Sequence, residues 1–281
     1  MAAILLALAA AASYGASDFI GGILSKTRSV WMVLVASQLT AALTTAIVAV
    51  FLGGDPRPVD FAWAAGAGLG SVVGIAFLYR GLSRGRMGVV APVSGVGAAL
   101  LPVVVGLATG DEPSLLAWMG IVVAFPAIYL VAQTGGHPES DVASQGPSGL
   151  GDGVIAGLGF GAIFTCIGQI DQDAGLLPLS LVGLVAAASA AVIASALRQP
   201  WIPTGAGLLP VYAFGILGTT GLTTFLLATN QGLLTVVSVT AAIYPAGTVI
   251  LAAIYLHEKI GRLQSIGLTV AAVAVVLVAS G

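Results

Sequence analysis

Asp18 is the one acid well inside an apolar stretch of this 281-residue chain, and Tyr14, Ser17 and Gly21 stand around it at i−4, i−1 and i+3. In a helix those four residues share one face. A carboxylate held there can pair with an ammonium group or carry a titrating proton. It lies about five residues past the middle of its apolar run, roughly 7–8 Å at helical rise. The plainer alternative is therefore a wet carboxylate near a helix end, or one paired with Lys26, Arg80 or Arg84. A second face of the same kind gathers Gly161, Thr165, Gln169 and Gln172, with Phe164 where the first has Asp18. Ser and Thr in apolar helices also bond back to their own carbonyls, and both uses stay open for these faces.

Two further stretches combine polar residues with proline. Ser94, Gly95 and Gly97 lie between Pro92 and Pro102; Thr240, Tyr244, Gly247 and Thr248 surround Pro245. A proline inside a helix leaves an upstream carbonyl without its donor and bends the axis. Pro92, Pro102 and Pro245 are accordingly expected to act as hinges that turn backbone polar groups toward a central cavity. The residues expected to line that cavity are Tyr14, Ser17 and Asp18, Thr165 and Gln169, Ser94, Thr240 and Tyr244, with Tyr79 adding apolar surface. Catalysis is not indicated. His137 and His257 fall in polar connections, Ser94 lacks a Gly-x-Ser-x-Gly setting, and no His or Asp pair shares a helical face. Metal-ligand spacing is absent from the sequence, so neither a metal nor a cofactor is expected. Gly66-Ala67-Gly68-Leu69-Gly70 lacks the preceding strand and following acid of a dinucleotide loop and reads as a close-packing surface.

Such residues need helices to position them, and the composition says in what solvent. Only 9 Lys and Arg and 11 Asp and Glu are present, 7% of residues against roughly 25% in soluble domains. With 58% hydrophobic residues and a mean hydropathy of +1.08, a water-soluble enzyme is excluded. A net charge of −2 offers no nucleic-acid surface, and the single Cys166 excludes an internal disulfide. Charges, prolines and Asn/Gln/Gly clusters divide the chain into ten apolar spans near 2–24, 30–52, 60–79, 88–108, 115–133, 151–171, 177–197, 208–229, 233–256 and 262–280. Each is long enough to cross a bilayer core of about 30 Å. The one linker-like stretch, 134–150, is rich in Gly, Ser, Pro and acid.

The connections carry an asymmetric charge. Those after odd-numbered spans hold Lys26, Arg28, Arg80, Arg84, Arg86, Arg198, Lys259 and Arg262, whereas those after even-numbered spans hold only Arg57. Positive charge accumulates on the cytoplasmic side, so both termini are expected outside. No basic residue precedes the first apolar run, which is expected to be retained rather than removed as a signal peptide. The parity of the basic connections reverses between spans 1–5 and 6–10, as two five-span units inserted in opposite orientations require. At a shift of 146 or 147, Tyr14-Gly15-Ala16 aligns with Phe160-Gly161-Ala162, Gly68 and Gly74 with Gly215 and Gly221, Gly120 with Gly267, and Glu112 with Glu258. The expected fold is an all-α membrane protein of ten helices in two inverted repeats, 1–133 and 151–281, joined by the linker.

With these features the chain resembles the drug/metabolite transporter superfamily, specifically its ten-span EamA-type exporters. The residues that carry the resemblance are Val89-Val90-Ala91-Pro92-Val93 leading to Gly110-Asp111-Glu112, and Val236-Val237-Ser238 leading to Tyr244-Pro245 and His257-Glu258-Lys259. Asp111-Glu112 and His257-Glu258 keep the glutamate of the family pattern but not the glycine before it. The resemblance implies a transporter of the bacterial inner membrane that exports amino acids or related zwitterionic or neutral metabolites by alternating access, most similar to exporters of the YddG type. Its partners would be the small-molecule cargo and the lipid bilayer, without nucleic acid, and a monomer is compatible with it. Drug and nucleotide-sugar carriers share the fold in the wider superfamily. A phosphorylated cargo would call for Lys or Arg inside the spans, and none lies well inside one.

Overall fold

The structure, a computed structural model, describes residues 1–25, 28–83, 87–132, 150–203, 209–257 and 260–281. In chain order the helices are α1 (Ala2–Ser25), α2 (Val30–Leu52), α3 (Pro58–Ser83), α4 (Met87–Ala108), α5 (Leu115–Val131), α6 (Leu150–Gly168), α7 (Leu177–Ala196), α8 (Leu209–Thr229), α9 (Leu234–Ala241), α10 (Tyr244–Tyr255) and α11 (Arg262–Ser280). Among the described residues there is no strand. Among the described residues eight spans are long and apolar enough to cross a membrane, α9 and α10 counting as one, and two shorter apolar stretches, Val93–Ala108 of α4 and Leu115–Val131, complete ten. Local chemistry sets the ends. Pro58 opens α3, where its missing N–H costs nothing. The Ser114 hydroxyl accepts the Ala117 N–H to cap α5. Gly110, with φ at 107°, turns the chain after α4 in a conformation that a side chain would strain.

Many of the most exposed residues are large and apolar, and many of the fully buried ones are small. Phe51, Val50 and Leu115 are about four-fifths exposed, while Ala7, Ala10, Ala64, Ala67, Ala98 and Ala124 are fully buried. Helices that are apolar all round belong in lipid, and small residues on their inner faces let backbones approach where lipid supplies no hydrophobic drive for helix association.

The close approaches obey a two-fold relation between the copies. A Cβ at Gly74 would lie 2.6 Å from the Phe160 ring, and one at Gly221 would lie 2.7 Å from the Tyr14 ring. Gly120 of α5 rests on Val278 of α11, while Gly267 of α11 rests on Val131 of α5. Both pairs of contacts map onto each other at the shift of 146 or 147 seen in the sequence. Whole helices follow the same rule: α6 packs on α3 and α4 of the first copy, α1 packs on α8, α9 and α10 of the second, and α2–α7 and α5–α11 pair with their own counterparts. An odd number of spans per copy makes the second copy inverted.

Two local expectations change. The sixth helix ends at Gly168 rather than near 171, and the chain turns through a short 3₁₀ segment at Gln172–Ala174. Asp171 caps that segment by accepting the Asp173 N–H, which competes with further helix. The ninth span is two helices rather than one bent helix, broken at Ala242 and Ile243.

Replacing Gly120 or Gly267 by Ala should be costly, because each new methyl would meet backbone of the opposing helix, at 2.8 Å and 2.6 Å respectively. Overpacking of this kind costs about 1–3 kcal/mol. Thermal unfolding in detergent should show a lower midpoint for both variants. Gly151→Ala, where nothing lies within 4 Å of the added methyl, should unfold with the parent chain.

Candidate transport cavity

Between α1, α2, α3, α6, α7, α8 and α10 lies a cavity of about 760 Å³. It reaches Ile23, Val30, Leu78 and Leu256 at the end of the bundle where α1 stops and α2 starts. Asp18 projects into it with an exposed side chain, next to Tyr14, Ser17, Phe19 and Gly21 of the same helix. No ion pair joins Asp18 to a Lys or Arg among the described residues. The basic partners considered from sequence lie elsewhere: Lys26 and Arg84 are outside the described residues, as is the side chain of Arg80.

Gly15 allows α1 to lie against the start of α10, since a Cβ there would stand 2.7 Å from the Tyr244 carbonyl oxygen and 3.0 Å from the Thr248 amide. The Thr248 hydroxyl donates to the Gly15 carbonyl at 3.1 Å across the same contact. Tyr14 then meets Tyr244 edge-on at 6.4 Å between ring centres and Phe164 at 5.9 Å. Phe164 stacks on Phe225 at 4.6 Å, and both are buried, so this aromatic group closes the cavity floor.

Beyond the floor the opposite end is tied shut. The Arg57 guanidinium pairs with Asp171 and lies 3.7 Å from the buried Asp60 carboxylate. Asp60 also accepts the Arg57 and Asp171 backbone N–H groups at 2.8 and 3.0 Å. The Asp55 N–H donates to the Asp173 carbonyl in the same crossing of connections. Between the copies, the Asp111 carboxylate accepts the Thr235 N–H at 2.8 Å, capping the first turn of α9 from the α4–α5 connection.

Of the residues expected to line a cavity, the structure gathers Tyr14, Ser17, Asp18 and Tyr244. Four others lie outside it. Ser94 is buried against Gly157 at the α4–α6 contact. Thr165 is half-buried with no hydrogen-bond partner for its hydroxyl. Gln169 falls beyond the end of α6, its N–H donating to the Cys166 carbonyl. Thr240 is buried and donates to the Val236 carbonyl, the backbone bonding that competes with any ligand. Tyr79 lies in α3 and Pro92 in α4, with side chains outside the described residues. Pro102 is buried inside an unbroken α4, while Pro245 stands in the first turn of α10, so the break precedes it. Sequence reasoning missed Gln38, Thr45 and Ser71, which bring α2 and α3 to the wall, and Thr219 of α8. The signal available was a Gln in mid-span, costly in lipid unless it faces a neighbour or a wet space.

Two inverted five-span copies around a central cavity, reaching one end and tied at the other, form the architecture of a membrane carrier. The chain belongs to the EamA-like transporter family, whose profile matches residues 1–133 and again 148–280. It is therefore a multi-pass membrane protein of a family of small-molecule transporters, not of enzymes. A solved crystal structure is similar in fold, with a TM-score of 0.70 over 99% of this chain and 98% of its own at 14% identity. Among curated proteins none matches.

The Asp111 cap is the hydrogen bond that ties α9 of one copy to the α4–α5 connection of the other. Its loss in Asp111→Ala should cost about 1 kcal/mol of the closed end, raising the open fraction several-fold. In a Cys166→Ala background, labelling of Ser238→Cys by a membrane-impermeant maleimide should quicken accordingly. An unchanged labelling rate would show that the cap does not hold this end.

Proposed function

We propose that the protein exports small amino-bearing metabolites, amino acids among them, from the bacterial cytoplasm by alternating access. The observation that carries this reading is Asp18 exposed in a central cavity between inverted copies, without an ion-pair partner among the described residues. Its carboxylate suits a cargo ammonium, and the aromatic side chains beside it suit an apolar body. The eight-to-one charge bias of the connections supports placing the cavity mouth in the cytoplasm and both termini on the outer side of the inner membrane. In that orientation the present arrangement is the inward-open one, with the Arg57–Asp60–Asp171 and Asp111–Thr235 contacts as the outer closure. Residues 134–150 then serve as the cytoplasmic linker between repeats at 1–133 and 151–281.

The cycle follows from the packing. Since α6 belongs with α3 and α4, and α1 with α8, α9 and α10, the bodies that rock against each other are mixed groups, not the two halves of the chain. A drug-like cation is the second reading, favoured by the aromatic wall. Nucleotide sugars fit less well, because no Lys or Arg lines the cavity among the described residues and phosphate needs such partners.

Purified protein in liposomes preloaded with unlabelled amino acids and amines should take up the labelled compound by counterflow, and silence across the panel would remove this reading. Gly218 lines the cavity and its nearest neighbour to an added Cβ is the Ser17 hydroxyl at 3.7 Å, so Gly218→Trp should fold and fill the space. Counterflow should fall at least tenfold while the detergent elution profile is unchanged. Undiminished exchange would mean that cargo passes elsewhere.

A further inference from the structure

The walls of the cavity are unequal in what they can offer a ligand. Five hydroxyls facing it are already donating to a backbone carbonyl: Ser17 to Phe214 at 3.4 Å, Ser37 to Leu34 at 3.0 Å, Thr45 to Ala41 at 2.8 Å, Thr219 to Gly215 at 3.0 Å and Thr248 to Gly15 at 3.1 Å. The Gln38 amide donates to Ser71 at 3.4 Å. A hydroxyl that donates still keeps lone pairs to accept with. The cavity therefore presents many acceptors and one carboxylate, and the donors left over are neutral: the phenols of Tyr14 and Tyr244, the Ser71 hydroxyl and the second N–H of Gln38.

The backbone offers an anion no more than the side chains do. A broken membrane helix exposes a half-helix N-terminus that can hold a carboxylate, and the ninth span is broken in this way. Neither N-terminus offers a full set of donors: the Thr235 N–H of α9 is held by the Asp111 carboxylate, and in the first turn of α10 Pro245 has no N–H while the Ala246 N–H is bonded to the Ile243 carbonyl. No Lys or Arg lines the cavity among the described residues. Among the described residues a zwitterion would thus satisfy its ammonium and leave its carboxylate without a charged partner, next to Asp18. An uncompensated charge out of water is strongly disfavoured.

We propose that the preferred cargo is an amine without an acid group: an ammonium bound to Asp18 and to the hydroxyl and amide oxygens, with an apolar, ring-bearing body against Phe19, Phe160 and Phe214. The aromatic faces add attraction for the cation itself. This rests on the transport reading above and narrows its substrate.

The test compares matched pairs in the full-length protein. In liposome counterflow, labelled phenethylamine should exchange at least tenfold faster than labelled phenylalanine, which differs from it by the carboxylate alone. In detergent, phenethylamine should raise the thermal midpoint at concentrations where phenylacetate and phenylalanine do not. Asp18→Asn should lose the amine exchange at least tenfold, and Asp18→Glu should recover part of it. Equal or faster exchange of phenylalanine, or equal stabilisation by phenylacetate, overturns the inference and leaves a transporter of amino acids. Full amine exchange by a folded Asp18→Asn overturns it as well. Exchange of no compound at all overturns both this inference and the transport reading. If Asp18→Asn does not fold, the wild-type pair comparison still decides.

Discussion

In a bilayer an apolar side chain gains nothing by leaving lipid for a neighbouring helix, so these helices hold together where their backbones can touch. The touching points are glycines. Gly68 sits on the Val182 carbonyl, Gly215 on the Ser37 carbonyl, Gly159 on the Gly74 backbone, and Gly120 and Gly267 join α5 to α11. Almost all of these contacts cross from one copy to the other. Each copy surrenders its first helix, α1 to the second and α6 to the first. Neither has a close-packed interior by itself, which makes the interlocked pair the smallest unit with buried backbone.

The cavity is the complement of that packing. Helices that touch at one end diverge toward the other, and the polar groups on the diverging faces must be satisfied without help from lipid. Most are satisfied locally, by hydroxyls returning to carbonyls one turn back. The broken ninth span follows the same rule. Its freed groups are re-bonded at the break, with the Ala242 N–H on Ser238, the Ile243 N–H on Thr240 and the Ala246 N–H on Ile243. What would be a costly interruption in lipid is tolerated because it is enclosed between α1, α4 and α5.

The span architecture was legible in the sequence because both of its causes are one-dimensional. Charges stand almost entirely between spans, and basic residues gather in alternate connections, so nearly every described helix end falls within a few residues of its expected place. Asp18 was legible for a related reason: an acid in an apolar run has few explanations. Ser94 and Thr240 misled because polarity alone does not say where a hydroxyl spends its bond, and both are absorbed in helix packing. Gln38, Ser71 and Thr219 come from three spans and meet only in the folded bundle, so no spacing along the chain relates them. Pro245 marked the break but not its position, since a proline is as comfortable in the first turn of a new helix as it is disruptive within an old one.

The duplication also accounts for why a single carboxylate can dominate the cavity. Two identical copies would present either two acids or two aromatics about the two-fold. Here the equivalent positions have diverged, with Asp18 exposed on α1 and Phe164 buried on α6 in a stack with Phe225. Like charges facing each other in a poorly hydrated space would repel and favour a shared proton over a bound cation. Replacing one acid by an aromatic removes that repulsion, seals the floor, and leaves the remaining carboxylate free to seek an external partner. The carboxylate stands off the two-fold axis, at the α1 wall. At the shift of 146 the whole face has diverged, with Tyr14, Ser17, Asp18 and Gly21 on α1 answered by Phe160, Ile163, Phe164 and Ile167 on α6, so a symmetric scaffold carries a polar face on one copy and an apolar face on the other.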